Sequence, residues 1–188
     1  MTAHCQLAQR TLLRAFRAGE YVLILAEGEL PTPGFEVDIE QSPLRIVPPQ
    51  FNLLQCPRPG IWPQVITPYS YAESVPFPAD QDTVTIHHAE GSDKVSIEDC
   101  PKELAGYARA VKGDADQTCP PGADEATGFS GKLSFDEAFA NAVANLPPVK
   151  SPVPDTLTRV QVLEIGGLFG GIVGFNDLFV RICRTQDT

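Results

Sequence analysis

Hydrophobic and polar positions follow the two-residue period of a β-strand over much of the first half of the chain. Residues 20–30, EYVLILAEGEL, contain an unbroken apolar run, which predicts a central strand buried on both faces. Residues 35–40, FEVDIE, alternate strictly and predict an antiparallel strand with one face in water. PTPG at 31–34 predicts the turn between them, because proline fixes φ and glycine allows the chain to reverse. Residues 44–47, LRIV, would continue this meander.

Later stretches predict further short strands. Residues 83–89, TVTIHHA, and 94–98, KVSIE, predict a hairpin across EGSD, with Val84, Ile86 and His88 on one face. Prolines recur from 48 to 78 and leave room only for edge strands and extended loops. Residues 1–18 fit a short helix or a strand equally well. The remaining candidate strands are IWPQVIT at 61–67, SYAESV at 70–75, TRVQVLEI at 158–165 and DLFVRICR at 177–184.

One segment, residues 134–146, has the pattern of an amphipathic helix. Ser134 and Glu137 form the S-x-x-E capping box, in which each side chain satisfies a free amide of the first turn. Two prolines at 147 and 148 prevent the helix from continuing. Its apolar positions make one continuous stripe suited to lie on a sheet, and we expect burial of Phe135, Phe139 and Val143.

Together these elements predict a mainly β, β-rich α+β fold. We expect an antiparallel, sandwich-like sheet of eight to ten short strands, with the 134–146 helix packed on it. The chain length suits a single domain over 1–188. A subdivision would give a β-rich part at 1–98, a polar loop or insertion at 99–132, and a helix with a C-terminal β-hairpin at 133–188.

Composition and charge narrow the range of partners. Hydrophobic residues make up 43 % of the chain, enough for a folded core, and 18 prolines cut it into short elements. The formal net charge is -10. Nucleic acids and anionic membrane surfaces are themselves negatively charged, so we predict neither as a partner.

The cysteines suggest a reducing environment. They are odd in number and contain no CxxC pair, unlike a disulfide framework or a zinc finger. The N-terminus also lacks the apolar stretch of a signal peptide. We therefore predict reduced thiols and a cytoplasmic location, with Cys100 and Cys119 as the pair that oxidation would join. The five cysteines are Cys5, Cys56, Cys100, Cys119 and Cys183.

Five glycines stand among large apolar residues at 163–182, LEIGGLFGGIVGFNDLFVRI. The stretch lacks the Gly-Lys-Ser/Thr end of a Walker loop and the spacing of a dinucleotide fingerprint, and polar residues interrupt it as a membrane helix. It predicts a hairpin whose glycines permit bulges or close backbone approach. The alternative is a contact surface for a second molecule at Gly167, Gly170, Gly171 and Phe175.

Aromatic residues and histidines offer a second candidate site. Trp62, Tyr69 and Tyr71 are concentrated in the proline-rich segment, where they either fill the core or line a groove for a ligand. His87 and His88 are adjacent on a predicted strand and so point to opposite faces, which argues against one shared metal. We predict no metal site; the ligand-binding alternative consists of Trp62, Tyr69, Tyr71 and His88.

Residues 123–184 resemble the dodecins, small flavin-storing proteins. EATGFSGKLSFDEAFANAV and VQVLEIGG carry the resemblance, which covers about a third of the chain and implies the order strand, helix, strand, strand. Dodecins stack a tryptophan of the strand after the helix on the flavin, whereas Arg159 stands near that position here. The glutamine expected on the last strand is absent from FNDLFVRI. The resemblance therefore implies a topology able to pair at its edges, and we predict no cofactor.

Two classes of function follow from the sequence. TGFSG at 127–131 lacks the residue that a nucleophile elbow needs between serine and the second glycine, and the acidic pairs fall mostly in predicted loops. With no catalytic residues predicted, we favour a non-enzymatic binding or assembly module that self-associates or binds a protein partner. The alternative is a small-ligand binding protein, of flavin type for example, or an enzyme with an aromatic, histidine-lined pocket.

Overall fold

Strands dominate the structure and confirm the predicted β-rich α+β class. The structure is a computed structural model, and it contains eleven strands and two α-helices among its described residues. Contacts along the chain divide it into two units, Met1–Pro101 and Lys102–Thr188. The structure describes residues 5–44, 46–113, 119–148, 158–171 and 174–186.

A single curled sheet forms the first unit. Its order is β1-β5-β7-β8-β2-β3-β6, and β4 pairs with the other edge of β5. The pairs β2–β8 and β5–β7 are parallel and the others antiparallel, so the predicted antiparallel sandwich is replaced by a mixed sheet. The curl brings the end strands β4 and β6 together, with the Tyr71 hydroxyl 3.3 Å from Asp38 Oδ1. The strands are β1 (Gln6–Leu7), β2 (Leu12–Ala18), β3 (Tyr21–Leu30), β4 (Phe35–Gln41), β5 (Gln50–Pro57), β6 (Thr67–Pro76), β7 (Thr83–His88) and β8 (Gly91–Asp99).

The core of this unit lies inside the curl. Strand β3 is buried on both faces from Tyr21 to Ala26, as predicted. The β7–β8 hairpin is also confirmed, and the buried face of β7 carries the three residues predicted for it. The main buried residues of the core are Ala15, Val22, Ile24, Ala26, Ile39, Phe51, Leu53, Val75, Phe77, Val84 and Ile86.

Three predictions for the first unit are corrected or resolved. Residues 61–67 are not a strand before Thr67, because the surrounding prolines lack the amide donors that a ladder needs. The described residues of 44–47 are irregular for the same reason. Residues 1–18 contain β1 and β2 and no helix where they are described; the first four lie outside the described residues.

The second unit places a three-stranded antiparallel sheet between two helices. Its strand order is β10-β11-β9. Helix α2 packs on one face, and the Tyr107 ring of α1 packs on the other against Phe129 and Phe175. From β9 onward the chain runs strand, helix, strand, strand. A 3-10 turn (Lys102–Leu104) precedes α1 (Ala105–Lys112), β9 (Asp124–Ser130), α2 (Phe135–Ala144), β10 (Thr158–Gly170) and β11 (Phe175–Gln186).

The expectation of a polar loop at 99–132 is wrong at two places. Helix α1 buries Leu104 at its N-cap, then Tyr107 and Ala110, at three-residue spacing that the nearby polar residues obscured. Strand β9 reads DEATGFS, a sequence of low β-propensity, and is held by pairing with β11 and by packing under α2. Part of this segment, residues 114–118, lies outside the described residues.

The predicted capped helix is present, but its orientation differs from the prediction. Ser134 caps α2, with its side chain 3.3 Å from the Glu137 amide. The fully buried residues are Ala138 and Ala142. The expected burial of Phe135 and Val143 is wrong, since each is 41 % exposed, and Phe139 is half-buried.

Two disulfides correct the prediction of reduced thiols. Cys5 is bonded to Cys56 beside the β1–β5 pair, and Cys119 is bonded to Cys183 of β11. Cys119 therefore does not pair with Cys100, which belongs to neither disulfide. Sequence spacing missed both pairs because the partners are 51 and 64 residues apart and meet only through the folds of the two units.

Candidate functional site

Helix α2 covers only part of the sheet on which it packs. It lies over β9 and β11, where Ala138 and Ala142 form one apolar cluster with Val180 of β11. The third strand, β10, is at the edge of the sheet; Val160 and Val162 near its start pack against this cluster, whereas Ile165 and Phe169 near its end are exposed. The second unit therefore has an apolar surface that its own helix leaves uncovered.

Close packing at Gly128 determines which side of α2 meets the sheet. A Cβ atom at Gly128 would lie 2.8 Å from the Cα of Ala142 and would clash with the backbone of Ala138. Because helix and strand touch through their backbones, only small side chains fit on the contacting side of the helix. The large side chains Phe135 and Val143 are consequently left at the exposed margin of α2.

Asn141 of α2 and Asn145, the residue that caps its C-terminus, close the outer edge of β9. Asn141 Nδ2 donates to the Phe129 carbonyl oxygen at 2.8 Å, and Asn145 Nδ2 donates to that of Thr127 at 2.9 Å. An additional strand would need these carbonyl groups as acceptors. The outer edge of β9 is thus blocked against a further strand. Strand β10, in contrast, pairs with β11 alone within the part of the chain that the structure describes.

Strand β10 carries apolar residues on the face that holds the helix. Ile165 pairs with Val180 and Gly167 with Leu178, and both of these β11 residues face α2. Opposite residues of an antiparallel pair point to the same side of a sheet. Ile165, Gly167 and Phe169 therefore lie on the α2 side, where Ile165 is 56 % and Phe169 67 % exposed.

The exposed groups of helix and edge strand form one surface, which we call the open face. On the helix, the Phe135 and Phe139 rings stack with their centroids 5.8 Å apart. No residue of the open face is charged, although the chain as a whole is acidic. The open face consists of Phe135, Phe139 and Val143 of α2 and Ile165, Gly167 and Phe169 of β10.

A buried ion-pair cluster fixes β10 to the rest of the sheet. Arg181 of β11 is 1 % exposed, and its guanidinium lies 2.6 Å from Glu125 of β9 and 3.2 Å from Glu164 of β10. Each strand contributes one charged residue, so the cluster ties the three strands together on the face opposite α2. The ion pairs that hold β10 at the edge of the sheet are therefore buried in the interior of the second unit.

Two other charges of the β10–β11 hairpin have no ion-pair partner among the described residues. Arg159 lies exposed near the start of β10, and Asp177 lies half-buried near the start of β11. Burial raises the pKa of Asp177, with a smaller opposing effect from a backbone hydrogen bond at Asn176. Both residues lie on the face opposite α2, at opposite ends of the hairpin.

The predicted contact residues have varied surroundings in the structure. Gly167 belongs to the open face, and the Phe169 ring folds over its Cα. Gly170 and Gly171 have φ angles of 75° and 76°, which the reversal between β10 and β11 requires. The Phe175 ring instead stacks on Tyr107 of α1, with centroids 5.8 Å apart. The chain's own turn and packing thus account for most of the glycine content, and the contact role stays a prediction.

The four residues predicted to bind a ligand are each engaged by different parts of the first unit. The Trp62 ring packs over Gly34, and the Tyr69 hydroxyl donates to the Gln9 carbonyl oxygen at 2.6 Å. The Tyr71 hydroxyl lies 2.7 Å from Glu73 Oε2 at the seam of the curled sheet. His88 is 2 % exposed, with Nε2 3.4 Å from Asp93 Oδ2. The described contacts do not bring the four together, and ligand binding there remains a prediction.

Two tyrosines of β6 have raised pKa values, Tyr69 through burial and Tyr71 through burial together with neighbouring carboxylates. Burial raises the pKa of Tyr69 to about 12. Burial, followed by the carboxylates of Glu73 and Asp38, raises the pKa of Tyr71 well above its usual range. Both phenols are therefore neutral hydrogen-bonding groups at physiological pH, which suits a structural role in closing the sheet.

A cavity of about 570 Å³ lies in the second unit, next to the Cys119–Cys183 disulfide. Arg184 forms part of its wall, but its guanidinium is already bonded to Asp124 and donates to the Pro147 carbonyl oxygen at 2.7 Å. None of the residues predicted to bind a ligand lines it. The lining consists of Pro120, Pro121, Gly122, Ala123, Asp124, Pro147, Pro148, Arg184 and Thr185.

Comparison of the chain with protein-family models, with curated proteins and with solved structures finds no significant match. Within the described residues, no helix combines the length and the apolar character needed to cross a membrane. The described residues also contain no cluster of three or more histidine, cysteine, aspartate or glutamate side chains able to hold a metal ion.

Proposed function

We propose that this protein is a binding or assembly module, and that the open face of its second unit is the contact surface. One observation carries the proposal: Phe169 and Ile165 stand exposed on the sheet face that holds α2, on a strand whose outer edge has no partner among the described residues. A contiguous apolar surface next to a free strand edge is typical of protein–protein contacts.

The physical gain from covering this surface comes from two sources. Burial of a large apolar side chain contributes roughly 1.5–3 kcal/mol, and the open face offers several. A partner strand placed along β10 would add backbone hydrogen bonds, as in recognition by strand addition. The first source supplies affinity and the second fixes the orientation of the partner.

Small-ligand binding is the less favoured alternative. The 570 Å³ cavity is large enough for a ligand of modest size. However, the Arg184 guanidinium that would orient an anionic ligand is neutralised by Asp124 and held by Pro147. The acidic net charge of the chain also disfavours nucleic acid as a binding partner. The open face therefore supports a protein partner better than the cavity supports a ligand.

The disulfides bear on where such a module would work. The expectation of a cytoplasmic location depended on reduced thiols, whereas four of the five cysteines are paired. Disulfides persist in oxidising compartments and are rare in a reducing cytosol. We accordingly propose that the protein functions in an oxidising compartment.

Site-specific photo-cross-linking tests the contact surface. The photoreactive residue p-benzoylphenylalanine would replace Phe135, with replacement of Ile61, which is 102 % exposed in the first unit, as a matched control. Both proteins would be irradiated alone and in extract of the source cells. We expect a cross-linked species at least ~5-fold more abundant from position 135. Equal yields, or no product from position 135 in either setting, would contradict the proposal.

A further inference from the structure

We propose that the partner at the open face is a second copy of this chain, with the two β10 strands paired antiparallel about a two-fold axis. The inference rests on the proposed function and names its partner. The two three-stranded sheets would join into one six-stranded sheet. Helix α2 of each copy would then flank the joined strands on the same side of the six-stranded sheet, and the first half of each β10 would cover the Ile165–Phe169 half of the other.

The asymmetry between the two edges of the sheet supports strand pairing at β10. At the β9 edge, Asn141 and Asn145 occupy the Phe129 and Thr127 carbonyl groups. At the other edge, the thirteen residues of β10 have no described strand neighbour apart from β11. Long unpaired edges are templates for another strand, and proteins usually block them with charge or proline. Between Thr158 and Gly170 the strand contains no proline and only two charged residues.

The distribution of charge favours association through the second unit. Of the 14 Lys and Arg and the 24 Asp and Glu, residues 102–188 contain 8 and 11, a net charge of -3. Residues 1–101 contain the other 6 and 13 and therefore carry -7. Two copies that meet through the uncharged open face bring together the less acidic parts of two acidic chains, which limits their repulsion.

Charge complementarity selects the antiparallel arrangement. Antiparallel pairing places the start of β10 in one copy beside its end in the other. Arg159 of one copy then lies beside Leu168 of the second copy. In that second copy, Asp177 of β11 is the residue opposite Leu168, so Arg159 approaches Asp177 across two strand spacings. Two strand spacings amount to roughly 10 Å, a span that an extended arginine and an aspartate cover between them. Parallel pairing about a two-fold axis would instead turn the two α2 helices to opposite faces of the joined sheet and would leave each Arg159 far from Asp177 of the other copy.

Mass measurement of the full-length chain tests the self-association. Native mass spectrometry and light scattering would be applied to the parent protein, to Ile165→Lys and to Ile61→Lys. The chain has a mass of 20.3 kDa, and we expect twice that mass for the parent and for Ile61→Lys. Ile165→Lys should be monomeric with an unchanged circular dichroism spectrum, because its side chain is already 56 % exposed.

Charge reversal tests the pairing direction. We expect Arg159→Glu to raise the dimer dissociation constant by at least ~5-fold, and Asp177→Lys added to it to restore the constant to within ~2-fold. A parent protein that is monomeric up to ~100 µM, a dimeric Ile165→Lys, or a double variant no tighter than Arg159→Glu would overturn the inference. A monomeric parent that still cross-links through position 135 to a different protein would overturn the second copy as partner and leave the proposed contact surface standing. Absence of any cross-link would overturn both.

Discussion

Gly128 of β9 and Ala142 of α2 are in direct backbone contact: a Cβ atom on Gly128 would lie 2.8 Å from the Cα of Ala142. This contact sets how deeply the helix sits on the sheet. It also decides which side chains of α2 are buried and which remain exposed on the open face. The exposure of the α2 residues of the open face is therefore a consequence of one close helix–strand approach.

Substitution of Gly128 tests this account of the helix orientation. Gly128→Ala should lower the free energy of unfolding by about 1–3 kcal/mol, because the added methyl group has no space between helix and strand. Gly106→Ala in α1 is the matched control, since its Cβ would meet only Leu168 Cδ2 at 3.9 Å. The control should be neutral or stabilising by up to about 1 kcal/mol. Chemical denaturation of both variants measures the difference, and equal effects would refute the close contact.

The helix illustrates what the sequence could and could not reveal. Its existence, its cap at Ser134 and its end before Pro147 follow from local pattern and were confirmed. Its orientation depends on Gly128, a glycine in a strand of low β-propensity that precedes the helix. No periodicity within the helix could indicate that its alanines, rather than Phe135 and Val143, would face the sheet.

Removal of the buried guanidinium should destabilise the sheet that carries the open face. Arg181→Met would leave Glu125 and Glu164 without their cation, at a cost of about 3 kcal/mol in unfolding free energy. Arg14→Met breaks the ion pair with Glu98, in which both side chains are more than two-fifths exposed, and should lower the stability far less than Arg181→Met because solvent screens that pair. Urea denaturation followed by circular dichroism compares the two. A loss for Arg181→Met no larger than that for Arg14→Met would contradict the interior role of the cluster.

Acidification should weaken the start of α2. The hydrogen bond from the Ser130 hydroxyl, then that from Lys132, holds the pKa of Glu137 below its ordinary value of 4.5. A lowered pKa in the folded state gives stability that is fully present above pH 4.5 and is lost as the pH falls through the folded-state pKa. The stability difference between the parent and Glu137→Gln should therefore shrink between pH 6 and pH 3. Denaturation curves at several pH values measure it; a constant difference would argue against the interaction.

The cysteine pairing predicts a simple thiol count. Under denaturing, non-reducing conditions one thiol per chain should react, and Cys100→Ser should abolish that reaction. Each disulfide closes a loop of more than fifty residues, so its removal should cost about 4 kcal/mol. Five reactive thiols in freshly isolated protein would contradict the disulfides and the oxidising compartment proposed from them. The same experiment with Cys119→Ser should raise the count to two.

The open edge of β10 is the part of the candidate site that the sequence could least predict. The strand itself and the glycine-rich reversal after it were visible in the pattern of 158–182. Whether a strand lies at an edge depends on the sheet order, which placed β11 rather than β10 in the centre. Ile165 and Phe169 look like core residues in the sequence, and only the sheet order reveals them as exposed.

The most direct test is the native mass of the full-length chain beside that of Ile165→Lys. We expect a parent species of twice 20.3 kDa and a folded monomer for Ile165→Lys, with Ile61→Lys remaining a dimer. A monomeric parent protein, or an Ile165→Lys variant that dimerises as well as the parent, would contradict it.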